Sequence, residues 1–278
     1  MAEEEELERA RKAVRELSKT LKKLPKDPPP GEVHKLRTTT RRVEAIVSVL
    51  AQVEGRESRR LLKSIEPIRK AAGDVREMDV MIGNARKLAR HAEGDSLTRL
   101  TEQLQIARQQ NAVELRHVLG RRRTLARKNL KEYSSLIRTA EARAKGTASA
   151  DGLRADSHGG IHTAAASVVR DLGEWPRLNG ENIHAFRLKV KQLRYILQLS
   201  SEANSELGEA LGNVQRRIGD WHDWHQLHEI SSEILTPERD LALLERIDET
   251  TKRRYDQALA TANRLRGKYL SMPIARGV

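Results

Sequence analysis

A chain of 278 residues can bury a sizeable core, and with 38% hydrophobic but only 3% aromatic residues that core must be built from Leu, Ala and Val, which argues against a β-sandwich or barrel. Cysteine is absent, so disulfide scaffolds, thiolate metal sites and Cys nucleophiles are excluded. The 52 Lys and Arg against 39 Asp and Glu leave a net charge of +13, more than solubility requires, and point to an anionic partner such as nucleic acid, lipid headgroups or a polyphosphate.

The opening MAEEEELERARKAV is acidic and lacks the apolar segment of a signal peptide, and no apolar run reaches membrane-spanning length. The expectation is a soluble cytoplasmic protein with no membrane partner. Helical periodicity then runs almost throughout. A helix over roughly 3–24 stops at PKDPPPG, where Pro30 can open the next. Helices follow at roughly 31–54, 56–72 and 74–93, separated near Gly55 and Gly73, and then one long helix at 96–145 with Gly120 as its candidate break. KGTASADGLRADSHGG has the composition of a linker. Beyond it the order recurs, with helices at 161–173, 181–201 (after a WPRLNG break), 203–219, 220–235 and 237–269. The fold expected is all-α: two bundles of four-helix type, residues 1–145 and 161–278, joined by a linker at 146–160.

Two stretches suggest that the second bundle duplicates the first. EVHKLRTTTRRVEAI (32–46) and NIHAFRLKVKQLRYI (182–196) share the spacing H-x2-[KR]-x3-[KR], which composition alone would supply about 0.3 times. AAGDVREMDV and RIGDWHDWHQ echo each other downstream, Gly73-Asp74 after His34 and Gly219-Asp220 after His184. On a wheel of about 100° per residue, Arg187, Lys191 and Arg194 fall within roughly 80° of His184, while Phe186, Val190, Leu193 and Leu197 cluster elsewhere. His34, Arg37 and Arg41 make the matching stripe, opposite Leu36, Val43, Val47 and Leu50. The stripe is either a solvated basic face or an anion site. As a site it suits phosphate: Arg offers a planar fork, Lys a point charge and His a donor in either protonation state. Repetition at each turn suits a linear polyanion.

IHAFRLKVKQLRY followed by RIGDWHDWH resembles the CHAD family, the conserved-histidine α-helical domains. The family's second-half signature is met by His184, Arg187, Lys191, Arg194 and Tyr195, and its first-half signature by His34, Arg37, Arg41 and Arg42. Arg76 stands at a basic position of the family, and His222-Asp223 follow in the second copy. The resemblance implies two bundles related by approximate two-fold symmetry, basic helices facing a shared groove or pore, and binding of inorganic polyphosphate without catalysis. It also places the protein on polyphosphate granules. One departure is Glu44, where the second copy has Arg194. The contiguous acids of EEEELERARK are not the alternating strand that opens a CYTH domain, so a stand-alone CHAD protein is inferred.

His222, His225 and His228 at i+3 steps drift about 120° around a helix and converge poorly on a metal, so no cofactor is expected. Trp221 and Trp224 read as packing. GRRRTLARKNLK (120–131), with Arg122 and Arg123, and the run Lys252 to Arg254, with Arg253 and Arg254, are either solvated faces or extensions of the groove. Arg69 and Lys70, with Arg216 and Arg217 in the second copy, are secondary candidates of the same kind. His91, His158 and His162 read as surface or packing. Two rival functions stand: a metal-dependent phosphohydrolase of phosphate chains, and a nucleic-acid binder, the latter disfavoured because the stripes lack interleaved aromatics.

Overall fold

Where the sequence suggests breaks at Gly73 and Gly219, the helices run on. The computed structural model describes residues 2–49, 55–88, 94–147, 156–199 and 205–270. The chain forms α1 (Ala2–Lys23), α2 (Pro30–Val49), α3 (Arg56–Leu88), α4 (Asp95–Thr147), α5 (Asp156–Gly173), α6 (Ile183–Leu199), α7 (Ser205–Ile234) and α8 (Pro237–Leu265), with a π-helical turn at Arg266–Leu270. Among the described residues there is no strand, and the fold is all-α. It divides into two compact units, Met1–Asp151 and Gly152–Val278. Residues 156–160, read as linker, are the first turn of α5.

The first unit packs α1–α4 around one apolar core. Leu7, Ala10, Val14, Leu17 and Leu21 recur at three- and four-residue steps on α1 and are buried. Leu36, Val43 and Val47 from α2, Leu61, Ile65 and Ile68 from α3, and Leu115, Leu130 and Tyr133 from α4 complete it. Pro28 and Pro29 end the inter-helix segment, and Pro30 sits at the first position of α2, where its missing N–H costs nothing. The buried hydroxyls of Thr39 and Thr40 bond back to the Lys35 and Leu36 carbonyls at 2.8 Å each, so the middle of α2 buries polar groups without orphaning them.

The second unit is built from α5–α8, with Ile183, Phe186, Val190 and Leu193 of α6 against Leu211, Val214, Ile218 and Trp221 of α7 and Ala258 and Ala262 of α8. Trp175 packs against this core, its ring edge-on to Phe186 at 5.7 Å. Each unit caps its first helix with an arginine from its C-terminal part, α4 in the first and the π-helical turn in the second. Arg123 donates to the carbonyls of Leu21, Lys22 and Leu24, and Arg266 to those of Gly173, Trp175 and Pro176. A Cβ on Gly173 would come within 2.7 Å of the Leu270 carbonyl oxygen, so the π-helical turn packs here only against glycine.

A single glycine costs a helix about 1 kcal/mol relative to alanine. At Gly73 and Gly219 the neighbours Ala72 and Val75, and Ile218 and Trp221, are buried, and their packing offsets that cost. Gly120 also lies inside α4, without breaking it.

Candidate anion-binding site

The start of α6 is fixed by two asparagines. Asn179 Oδ1 accepts the backbone N–H groups of Glu181 and Asn182 at 3.0 Å each, and Asn182 Oδ1 accepts that of Asn179 at 3.0 Å. This cap sets the phase of the helix: Phe186, Val190 and Leu193 point into the core, fully buried. His184, Arg187, Lys191 and Arg194 then emerge half-buried on another face.

Two of the four are held in place by one residue of α7. Arg187 Nε donates to the Gln215 carbonyl at 3.2 Å, and Arg194 Nη1 to the Gln215 side-chain oxygen at 3.0 Å. Two glycines make room for them. A Cβ on Gly219 would stand 3.1 Å from Arg187 Nη2, and one on Gly212 would stand 3.6 Å from Arg194 Cζ. The glycine read as a helix break is therefore a seat for a guanidinium. An open pocket of about 490 Å³ lies over this seam, lined by Arg187, Arg194, Gly212, Gln215, Arg216, Gly219, Asp220 and Asp223. Asp220 is already engaged by Arg254 at 3.2 Å, which offsets one of the two acids in the wall. Lys191 lies between the two arginines on α6, its ammonium 5.5 Å from the centre of the Tyr195 ring.

At the head of the stripe the rings of His184 and His222 lie 4.8 Å apart, and the buried Nδ1 of His184 has no hydrogen-bond partner. Burial, followed by the Arg187 charge, holds His184 below the usual imidazole range. His222 is lowered by burial first and then by His184, Arg187 and His225, against the opposing pull of Glu229. A negative charge placed beside either imidazole would act against that lowering.

In the first unit, Arg37 and Arg41 are half-buried on α2, and a Cβ on Gly73 would lie 3.9 Å from Arg37 Nε. His34 is more exposed. Its own burial, then the charges of Arg76 and Arg37, lower its pKa, which places Arg76 beside the stripe. Glu44 changes the outcome at the far end. It accepts a 2.7 Å hydrogen bond from Arg69 Nε, with both side chains about a quarter exposed, at 24% and 26%. Four residues before Gly73 stands Arg69, where Gln215 stands four before Gly219. The cation–acceptor pair is swapped between the two helices, so Glu44 satisfies Arg69 instead of merely repelling an anion.

Several expected cations lie elsewhere. Arg42 turns toward α1 and pairs with Glu16 at 2.8 Å on the surface. Lys70 pairs with Glu66 along its own helix at 2.8 Å, and Arg217 donates to Gln257 at 3.2 Å, both exposed. Arg123 is used up in capping α1, and Arg122 lines a different pocket with Arg60 and Lys63. Arg216 lines the α6–α7 pocket, whereas Arg253 is exposed and makes no hydrogen bond or ion pair among the described residues. Gln215 and Gly212 escaped the sequence reading. The signal was present in GNVQRRIG, whose two glycines at a seven-residue spacing share one helix face with the glutamine between them.

The three histidines of α7 turn to different partners. His222 meets His184, His225 stacks on Trp221 at 5.5 Å with Glu229 at 3.7 Å, and His228 approaches Asp248 at 3.8 Å. Among the described residues no three His, Cys, Asp or Glu side chains are grouped to hold a metal ion. Trp221 and Trp224 are buried, as packing requires. His91 and the side chains of His158 and His162 lie outside the described residues, as does Leu50. No helix among the described residues is long and apolar enough to cross a membrane.

The sequence model of the CHAD domain matches residues 8–232 of the chain. A crystal structure of the CHAD domain from the plant Ricinus communis superimposes with a TM-score of 0.65 at 14% identity, over 96% of this chain and 89% of that one. No curated protein matches.

Proposed function

The chain belongs to the CHAD domain family, and we propose that it binds inorganic polyphosphate along the His/Arg/Lys stripes of α2 and α6, as a binding protein without catalysis. One observation carries the proposal: Gln215 holds two guanidinium groups, Arg187 and Arg194, over glycines on α7 at the edge of an open pocket. Forks fixed in advance lose little freedom when they take phosphoryl oxygens, and Lys191 and Arg216 add charge beside them. The stripe spans three helical turns, which fits successive phosphates of a chain better than one small anion. The setting we propose is the cytoplasm, at polyphosphate granules.

The test is polyphosphate binding to the full chain and to the double variant Arg187→Ala/Arg194→Ala, with phosphate release measured in the same samples, with and without divalent metal. Tight binding that the double variant loses, with no phosphate released, supports the proposal. Metal-dependent release would make the protein a phosphohydrolase. Single-stranded DNA that displaces polyphosphate at equal charge would make it a nucleic-acid binder.

A further inference from the structure

The N-terminal unit carries a second concave basic surface, on the side of α3 away from its stripe. About 180° around α3 from Arg69, and about 24 Å along the helix from Arg76, Arg60 lies with Lys63 at the edge of a pocket of about 400 Å³. Arg122 and Lys128 of α4 line the same pocket. Four cations thus face one carboxylate, Glu132, whose neighbour is Lys128 at 3.9 Å. Arg60, Lys63 and Arg122 make no side-chain hydrogen bond or ion pair among the described residues.

The wall between the two helices is fixed. Asn129, 9% exposed, donates its Nδ2 to the Arg60 carbonyl at 3.2 Å and so ties α4 to the turn that carries Arg60. Ser64 beside it, 2% exposed, is satisfied by the Leu61 carbonyl at 2.7 Å. Packing α3 on α4 therefore gathers four exposed cations on rigid elements, a concentration of positive charge that a bound oxyanion would offset. We infer that this α3–α4 pocket is a second oxyanion site of the protein, taking a compact, multiply charged phosphate compound of triphosphate size. The volume exceeds what one phosphate needs, and the four cations less the one charge of Glu132 leave three positive charges for a ligand to balance. Leu125, 43% exposed, lies in the same lining and offers an apolar contact to any organic portion. The site stands independently of the stripes.

Calorimetric titration of the full chain with inorganic tripolyphosphate, repeated with ATP, tests it. The comparison is with Arg60→Glu/Arg122→Glu and with Arg121→Glu/Arg127→Glu, which changes the net charge equally at α4 residues outside the pocket. All three tryptophans lie in the C-terminal unit, so their fluorescence reports binding there separately. The pocket variant should lose one class of calorimetric sites, weakening it at least tenfold, with the tryptophan-detected titration within twofold of wild type and helicity unchanged by circular dichroism. The control variant should keep both classes. Tighter binding of ATP than of tripolyphosphate at the lost class identifies an organic ligand, and equal binding the triphosphate moiety. An isotherm unchanged in the pocket variant, or equally weakened in the control, overturns the site. Loss of all binding in Arg187→Ala/Arg194→Ala overturns it also, whereas loss of the tryptophan-detected class alone bears only on the stripe.

Discussion

Alanine at Gly219 should stabilise the protein and weaken its ligand binding at the same time. In the interior of α7 the added methyl removes the glycine penalty, a gain of about 0.8–1 kcal/mol, or a few degrees in the unfolding of this unit. The same methyl would stand 3.1 Å from Arg187 Nη2 and 3.5 Å from its Nε, closer than such contacts settle, so the guanidinium must move by a few tenths of an ångström. Its bond to the Gln215 carbonyl, already 3.2 Å, lengthens or breaks. A charge-assisted contact to phosphate is worth about 1.5–3 kcal/mol, and misplacing the donor should forfeit about 1 kcal/mol, roughly fivefold in affinity. Gly208→Ala is the control, because nothing lies within 4 Å of its Cβ: it should leave affinity unchanged, with a smaller gain in stability because it stands in the first turn of α7. Thermal unfolding and a polyphosphate titration followed by tryptophan fluorescence read both quantities. Equal affinity of the two variants would refute the seat assigned to Arg187, whereas a Gly219→Ala protein that melts below wild type would contradict only the expected gain in stability.

Glu44→Gln should cost up to about 1 kcal/mol of stability by taking the negative charge out of the bond to Arg69, and raise polyphosphate affinity by leaving that arginine's charge uncompensated. Glu44→Arg should instead lose stability by setting two cations face to face, as thermal unfolding would show. His34, His184 and His222 are all held below the ordinary imidazole value. The unfolded chain therefore binds more protons, so stability of the ligand-free protein should fall as pH drops through about 6.5. Polyphosphate bound beside these histidines should raise their values, so that binding takes up protons and tightens over the same window. The melting-temperature gap with and without polyphosphate should widen between pH of about 7.5 and about 5.5, and a constant gap would contradict this. Arg123→Ala should cost about 1–3 kcal/mol by uncapping α1, with polyphosphate affinity unchanged in titration.

The helices and their apolar faces were legible because period and burial coincide: Leu36, Val43, Phe186, Val190 and Leu193 are all buried where the wheel puts them. Gly73 and Gly219 misled, since local propensity cannot register packing on both sides of a glycine. The stripe's residue types were legible from spacing, but its supports were not. Gln215 contributes a carbonyl and an amide oxygen to partners on another helix, and spacing within α6 contains no trace of it. Basic runs were the least informative. Arg123 and its neighbour Arg122 have opposite fates, one a cap and the other a pocket wall, decided by 100° of helix rotation. Glu44 reads alone as a lost contact, and its meaning changes once Arg69, 25 residues on, is seen to be its partner.

The salt dependence of polyphosphate binding tests the central claim most directly, measured on the wild type and on Arg187→Ala/Arg194→Ala across about a fourfold range of salt. Binding by charge along the stripes predicts a straight fall of log affinity with log salt, by analogy about 0.7 per phosphate neutralised, with a total slope of several units. The double variant should lower that slope by roughly one to two as two contacts disappear. A slope near zero, or one that the double variant leaves unchanged, would contradict the account.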